Sequence, residues 1–390
     1  MTPAPMSFRQ LREDLPLTRR LAYFQTGSYG PTPDSVLKVV AETMAFQSRH
    51  GSASPEVTGI LLDQEQRVRR QLADFLGVRP EHLAWTSNTS QAMQRVLRSV
   101  DWQAGDEILV SSAEHVSTQD ACRALERHRG VVVRTFPAEA GDDALLSSLE
   151  AALSGRARMV CLSQISTLDG RKLPAREAAG LARTRGVRLM LDGAQAVGQF
   201  PVEIPALGCD YYIASGHKWL LGPLGVGFLW VSPDRLADFR PDYIPDASTW
   251  LKPGDPRPPV TAALRSELGT HNYALRIGLG RALEIMEALG PARIERYVQE
   301  LVQLLFGELE NRPGVRILTP TKPGRASGLV ALEYGELRET GLRRLVEDLL
   351  ERRIVVKFQP ERPALRVSVA AFNTREEILR LVDALATLIG

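Results

Sequence analysis

The stretch Leu189 to Val231, LMLDGAQAVGQFPVEIPALGCDYYIASGHKWLLGPLGVGFLWV, decides how this chain is read. It holds an apolar run that ends at Asp192 and a second, CDYYIAS, that delivers Ser215, His217 and Lys218. Short apolar runs bounded by glycine and proline predict buried strands. A core strand has no use for an unpaired charge, so an acid and an amine at the ends of two such strands predict one shared pocket. A lysine followed by Trp219 and a glycine-rich segment, Gly222 to Gly227, is placed for a desolvated amine that forms a Schiff base with a carbonyl.

Pyridoxal phosphate (PLP) is the most economical such carbonyl. It works as an electron sink only while its pyridine nitrogen stays protonated, and an ionised carboxylate in a dry pocket holds that proton in place. Asp192 is suited to this task. Gln195, three residues on, is expected at a turn where its amide donates to the phenolic oxygen of the ring. Ser215 and His217 are expected to donate to the phosphate. Taken singly, Asp192 reads as the cap of a helix near Ala194 and Lys218 as a loop lysine; together they favour the cofactor.

Outward from this stretch, short apolar runs alternate with amphipathic ones. This predicts an α/β fold with a mostly parallel sheet. Strands are expected at Leu83–Thr86, Glu107–Ser111, Val131–Phe136, Met159–Ser163 and Val187–Leu191. Helices are expected at Ser35–Arg49 and Gln64–Leu76, and after Thr89, Ser117, Asp143 and Ala175. Arg240 to Pro259, with six prolines, predicts a long loop. His271 to Asn311 reads as two helices separated by Gly290-Pro291, and Gly328 to Gly390 as short strands with two helices. The expected division is an N-terminal segment 1–20, a large cofactor-binding domain 21–268 and a small α+β domain 269–390.

Bulk properties narrow the partners. The 390 residues carry 48 basic and 46 acidic side chains, a net charge of +2 without a basic block, so neither nucleic acid nor an anionic membrane is implied. A small molecule is the expected partner. No apolar run is long enough to span a bilayer, and the first residues lack a signal-peptide pattern, which makes a cytoplasmic location the expectation. Cys122, Cys161 and Cys209 are too few and too irregular for a disulfide framework or a metal site, so no metal is expected.

The Ser-Gly-His-Lys-Trp segment after an apolar strand resembles the class V aminotransferase superfamily of PLP-dependent fold type I enzymes. That group includes cysteine desulfurases, cysteine/cystine C-S lyases and isopenicillin N epimerase-like proteins. The resemblance extends to AYFQTGSYGPTP (Ala22 to Pro33), DWQAGDEILVSSAEH (Asp101 to His115) and LRVSVAAFNTREEI (Leu365 to Ile378). It is strongest toward the branch of cysteine/cystine C-S lyases and isopenicillin N epimerase-like proteins, with the DGAQ, DYY and GHKW segments closely similar to the cystine lyases.

The resemblance implies further site residues. Thr89 and Ser90 match the phosphate-binding turn; plain N-capping by Asn88-Thr89-Ser90 would also suit the start of a helix, and both can hold. His115 matches the histidine that stacks on the cofactor ring. Thr167 stands where desulfurases often place an asparagine, and Gln164 where related proteins carry a histidine. Thr270 matches a residue that reaches the cofactor phosphate of a neighbouring subunit, which implies a symmetric homodimer with the site at its interface. Arg366, a guanidinium on an apolar strand, matches the arginine that binds the substrate α-carboxylate, and Lys357 matches a second cationic position.

Desulfurases also need a mobile cysteine shortly before that arginine, and Gly328 to Gly390 contains none. An amino acid held by Arg366 and deprotonated by Lys218, with a sulfur leaving group on its β-carbon, makes C-S bond cleavage the expected reaction. Transamination and racemisation or epimerisation need the same cofactor residues and remain open. A non-catalytic scaffold would have lost Lys218 or Asp192, and both are present.

Overall fold

The computed structural model describes residues 5–138, 141–240, 263–267, 269–335 and 337–389. All but the first residue of the expected loop Arg240 to Pro259 lies outside them. The chain begins with α1 (Phe8–Glu13), β1 (Ala22–Tyr23), α2 (Asp34–His50) and α3 (Pro55–Leu76). Strand and helix then alternate: β2 (Leu83–Thr86), α4 (Thr89–Leu97), β3 (Glu107–Ser111), α5 (Val116–Arg129), β4 (Val132–Phe136), α6 (Asp142–Ala152), β5 (Ala157–Ser163), α7 (Ala175–Thr184) and β6 (Arg188–Asp192). The short α8 (Ile204–Leu207) precedes β7 (Tyr211–Ser215) and β8 (Gly227–Val231).

These strands form a seven-stranded sheet in the order β2-β8-β7-β6-β5-β3-β4. Strands β4, β3, β5, β6 and β7 run parallel, joined through crossover helices, while β8 runs antiparallel to both β7 and β2. The α/β class expected from the alternating pattern is the one observed. Helices cover both faces, so alternate residues of a strand enter different cores: Leu189 and Leu191 of β6 join one apolar cluster and Met190 the other.

Helices α9 (Tyr273–Leu289) and α10 (Pro291–Leu309) lead to β9 (Val315–Ile317), β10 (Leu329–Tyr334), α11 (Glu339–Glu351), β11 (Ile354–Val355), β12 (Lys357–Gln359), β13 (Ala364–Ser368) and α12 (Arg375–Ile389). An antiparallel sheet β12-β13-β10-β9 results. The N-terminal segment is threaded into this part: β1 pairs parallel with β11, Ser368 N–H donates to Phe24 O, and Arg12 pairs with Glu377. Phe8 stacks on Tyr297.

The two sheets meet at the loop after β5. Ser327 donates to Gly170 O through both its N–H and its hydroxyl, and a Cβ on Gly170 would lie 1.7 Å from Leu329 O. With φ at +70°, that position suits glycine on both counts. Helix α3 starts at Pro55, well before the expected Gln64, because proline is tolerated in a first turn and Ser54 supplies the extended entry. Among the described residues, no helix is long and apolar enough to cross a membrane.

Candidate active site

The carboxyl ends of β3, β5, β6 and β7 converge on one cavity of about 320 Å³, as open parallel sheets direct their ligands. Asp192 is the last residue of β6 and Lys218 lies in the turn after β7. Both line the cavity. Burial pushes the Lys218 amine down to about 8 against the pull of Asp192, and the nearby Arg366 and Lys357 push the same way. Burial raises Asp192, while Lys218 and the Ala194 N–H, which donates to its Oδ1 at 2.8 Å, oppose the rise. No helix opens directly after Asp192; residues 194–196 and 198–199 are turns, so the carboxylate is no helix cap.

Helix α4 opens onto the cavity with Asn88, Thr89 and Ser90. Asn88 is its N-cap, accepting from Gln91 N–H at 2.9 Å, so capping falls to Asn88 and leaves the next two residues toward the cavity. Thr89 N–H donates to Ser215 Oγ at 3.0 Å, and the two hydroxyls lie 2.6 Å apart. His217 also lines the cavity, with its Nδ1 buried and unpartnered. Burial, with Lys218 adjacent, lowers its imidazole to about 4, so it is neutral near pH 7.

His115 caps α5, and its Nδ1 accepts from Ser117 N–H at 3.2 Å. That bond places the proton of the neutral ring on Nε2. Burial lowers its pKa, as do Lys218, Lys357 and Arg366. Gln195 lines the cavity, but its Oε1 accepts from Trp219 Nε1 at 2.8 Å and its Nε2 donates to Gly27 O at 2.9 Å. One amide proton is left for a cofactor oxygen. Thr167 lines the cavity and donates to Ala113 O at 3.4 Å, whereas Gln164 accepts from Tyr212 Oη at 2.6 Å and is not among the lining residues.

Arg366 enters from β13, directly opposite Lys357 on β12. It is buried, its Nη2 donates to Ser28 Oγ at 2.8 Å, and its Nε has no partner. Burial lowers it to about 10 despite Glu361, and Lys357 is lowered by burial and by Arg366. Like charges on facing strand positions repel. A bound anion between them would relieve that repulsion.

Thr270 is exposed and does not line this cavity. Asn272 and not Thr270 caps α9, accepting from Leu275 N–H at 3.2 Å. Nearby Glu267 accepts from Trp85 N–H at 2.9 Å; burial opposes its charge, yet Arg69 and Arg276 hold it at about 2. None of the three cysteines lines the cavity, and all are buried. Among the described residues no cluster of His, Cys, Asp and Glu is arranged to hold a metal ion.

Sequence reasoning missed Gly27, Ser28 and Tyr29, which line the cavity beside Arg366. Gly30 N–H donates to His217 O at 2.8 Å, and a Cβ there would lie 2.1 Å from Lys218 O, so the Gly-Ser-Tyr-Gly-Pro turn was the available signal. It also passed over Glu114 and over Ser163, which lines the cavity.

The donor set fits PLP. A buried amine stands in reach of the same cavity as a buried carboxyl, hydroxyls and a helix N-terminus form an anion cradle, and the volume falls within the ~300–1,000 Å³ of small-molecule sites. The aminotransferase class-V family profile matches residues 23–381. The chain is 33% identical over 400 residues to an isopenicillin N epimerase of Amycolatopsis lactamdurans, covering 97% of each protein. It is 29% identical over 416 residues to a cysteine desulfurase of Escherichia coli, again covering 97% of each. Two solved structures of the cystine C-S lyase C-DES superpose on it at 28% identity. One, a mutant with glycine covalently linked to the PLP cofactor, gives a TM-score of 0.90 over 96% of this chain and 98% of the other. The second, with the reaction product cysteine persulfide, gives 0.89 over 95% and 99%. A matched profile over most of its length, on this fold and around this cavity, means that the chain belongs to the aminotransferase class-V family and is a PLP-dependent enzyme.

Proposed function

We propose that the enzyme is a C-S lyase that eliminates the β-sulfur group of cystine or a related cysteine derivative. The observation that carries this reading is the cross-strand pair Lys357 and Arg366 in a cavity lined by no cysteine. Persulfide transfer to the enzyme, as in a desulfurase with its own nucleophile, has no sulfur there to receive it. Cystine carries two carboxylates for the two cations. The solved C-S lyase and its persulfide product support the same reading.

When bound, PLP supplies an electron sink for the pair released at the substrate α-carbon. Asp192 would hold the proton on the ring nitrogen, and the cradle of Thr89, Ser90, Ser215 and His217 would hold the phosphate. His115, neutral and capping α5, would support the ring, and Gln195 and Thr167 would hydrogen-bond its oxygen. Arg366 binds the α-carboxylate with its guanidinium fork and Lys357 the distal one. The freed Lys218 amine takes the α-proton, a task suited to an amine brought down to about 8. The C-S bond then breaks with its electron pair on the departing persulfide. Water releases the remainder as pyruvate and ammonia.

Arg366→Ala should lower kcat/KM about 30- to 1,000-fold, the cost of unpairing a buried carboxylate contact, while cofactor loading stays intact. Equal loss of loading would make Arg366 structural. Lys357→Ala should weaken cystine about tenfold and leave amino acids with one carboxylate nearly unchanged, as a charged hydrogen bond predicts.

A second reading, epimerisation, has the Amycolatopsis relative behind it. Incubation of the holoenzyme with cystine, cysteine and a panel of amino and keto acids separates the readings. Pyruvate with persulfide supports the lyase; loss of optical activity without pyruvate makes it an epimerase; a new amino acid dependent on added keto acid makes it an aminotransferase.

The reading includes a homodimer in which Thr270 serves the partner's cofactor, supported by its exposure outside its own cavity and by the exposed apolar Leu37, Met44 and Leu224. Sedimentation should give twice the chain mass, and a fully loaded monomer rejects it. A cytoplasmic location is part of the reading, in keeping with three unpaired thiols.

A further inference from the structure

Glu114 is a buried acid that the proposed chemistry leaves without a task. It lies between β3 and α5, immediately before His115, and is only 3% exposed. Its two carboxyl oxygens grip one residue: Oε1 accepts from Ser163 N–H at 2.6 Å and Oε2 from Ser163 Oγ at 2.8 Å. Ser163 ends β5 and is the register partner of Asp192 on β6. One carboxyl therefore fixes the strand end beside the acid assigned to the ring nitrogen, and its own chain continues into the histidine assigned to the ring face.

From this geometry we propose that Glu114 is a positioning residue that exchanges a proton with solvent to set how much negative charge backs Asp192, and so how firmly the ring nitrogen keeps its proton. The inference rests on Asp192 as the partner of that nitrogen. The titratable groups facing Glu114 are Asp192 from β6 and Cys161 from β5, the latter beside Cys122 of α5, while Ser163 and Ser111 are neutral donors. Burial, with Asp192 adding to it, raises Glu114 to about 7 against the Ser163 bonds. Without cofactor, the charge of Asp192 favours the neutral form of Glu114. A protonated ring nitrogen favours ionised Glu114, so binding releases its proton and affinity rises with pH until Glu114 is ionised in the free protein also.

The test uses the full-length chain freed of cofactor and titrated with 4′-deoxypyridoxine 5′-phosphate, which cannot bond to Lys218. Glu114→Gln keeps an acceptor for Ser163 N–H but cannot ionise. The affinity of the unsubstituted protein relative to this variant should rise about tenfold from about pH 5 to about pH 8, equal to one pKa unit of coupling. Titration of the phosphate affects both proteins alike and cancels. A ratio that stays flat overturns the proposal, because a merely structural role gives an offset without a pH step. Asp192→Asn is measured in parallel: if it leaves affinity unchanged, the Asp192 assignment falls and this inference with it. If it weakens affinity while the ratio stays flat, only the role of Glu114 falls. Should Glu114→Gln not fold, Ser163→Ala removes one donor from the carboxylate and is expected to move the pH step upward; a step that does not move overturns the proposal.

Discussion

Replacing Lys218 with alanine is expected to lower turnover of the preferred amino acid by about 10³-fold, within the ~10²–10⁴ that a positioned base contributes. Cofactor should still bind, because Thr89, Ser90 and Ser215 lie outside the substituted side chain and keep their cradle. It should no longer be fixed to protein by borohydride, which reduces a Schiff base to a permanent bond. Absorbance of the bound cofactor should shift for the same reason. A variant that retains a tenth of its turnover would remove Lys218 from the chemistry. Loss of the amine also leaves Asp192 without the one cation that holds its pKa down, so that carboxyl should become harder to ionise in the cofactor-free protein.

Asp192→Asn is the second large effect. The amide oxygen can still accept from Ala194 N–H, which preserves the turn, but the charge is gone. Breaking one side of a buried charge pair costs about 3–5 kcal/mol, which corresponds to a fall of about 10²- to 4 × 10³-fold in kcat/KM. The cofactor should remain covalently attached through Lys218. A ring-methylated PLP, whose nitrogen is permanently charged, should restore much of the lost activity. If it restores none, the carboxylate acts by holding the β6 turn and not by holding a proton.

The parts of this site that could be read in advance share one property: each follows a short apolar run. Asp192 closing β6, Lys218 after β7, Thr89 after β2 and His115 after β3 lie at strand ends, and a buried strand announces its own end. Arg366 was legible for a related reason, as a charge inside a strand that is otherwise apolar. Ser28 and Tyr29 carry no such signal. They reach the cavity because the N-terminal segment pairs with residues more than three hundred positions away, through Ala22 to Ile354 and Gln25 to Ser368, and no local period encodes that.

The same limit applies to charge. Glu65 and Arg69 have the spacing of an ordinary surface helix pair, yet both are buried and joined to Glu267 and Arg276 from distant segments. The i,i+4 spacing is compatible with such a pair and carries no sign of its burial. Thr270 stands apart from its own cavity, so its assignment depends on a second subunit and not on anything within one chain.

The placement of the thiols has a practical consequence. Cys122, Cys161 and Cys209 are 0%, 1% and 4% exposed and are the chain's 3 cysteines, so the native surface offers nothing to maleimide reagents. A cysteine introduced at Leu350, 55% exposed on α11, would be the single labelling point on each folded chain. Its surface is thus already free of thiols for fluorophores and spin labels, without the stability losses that replacing interior cysteines would bring.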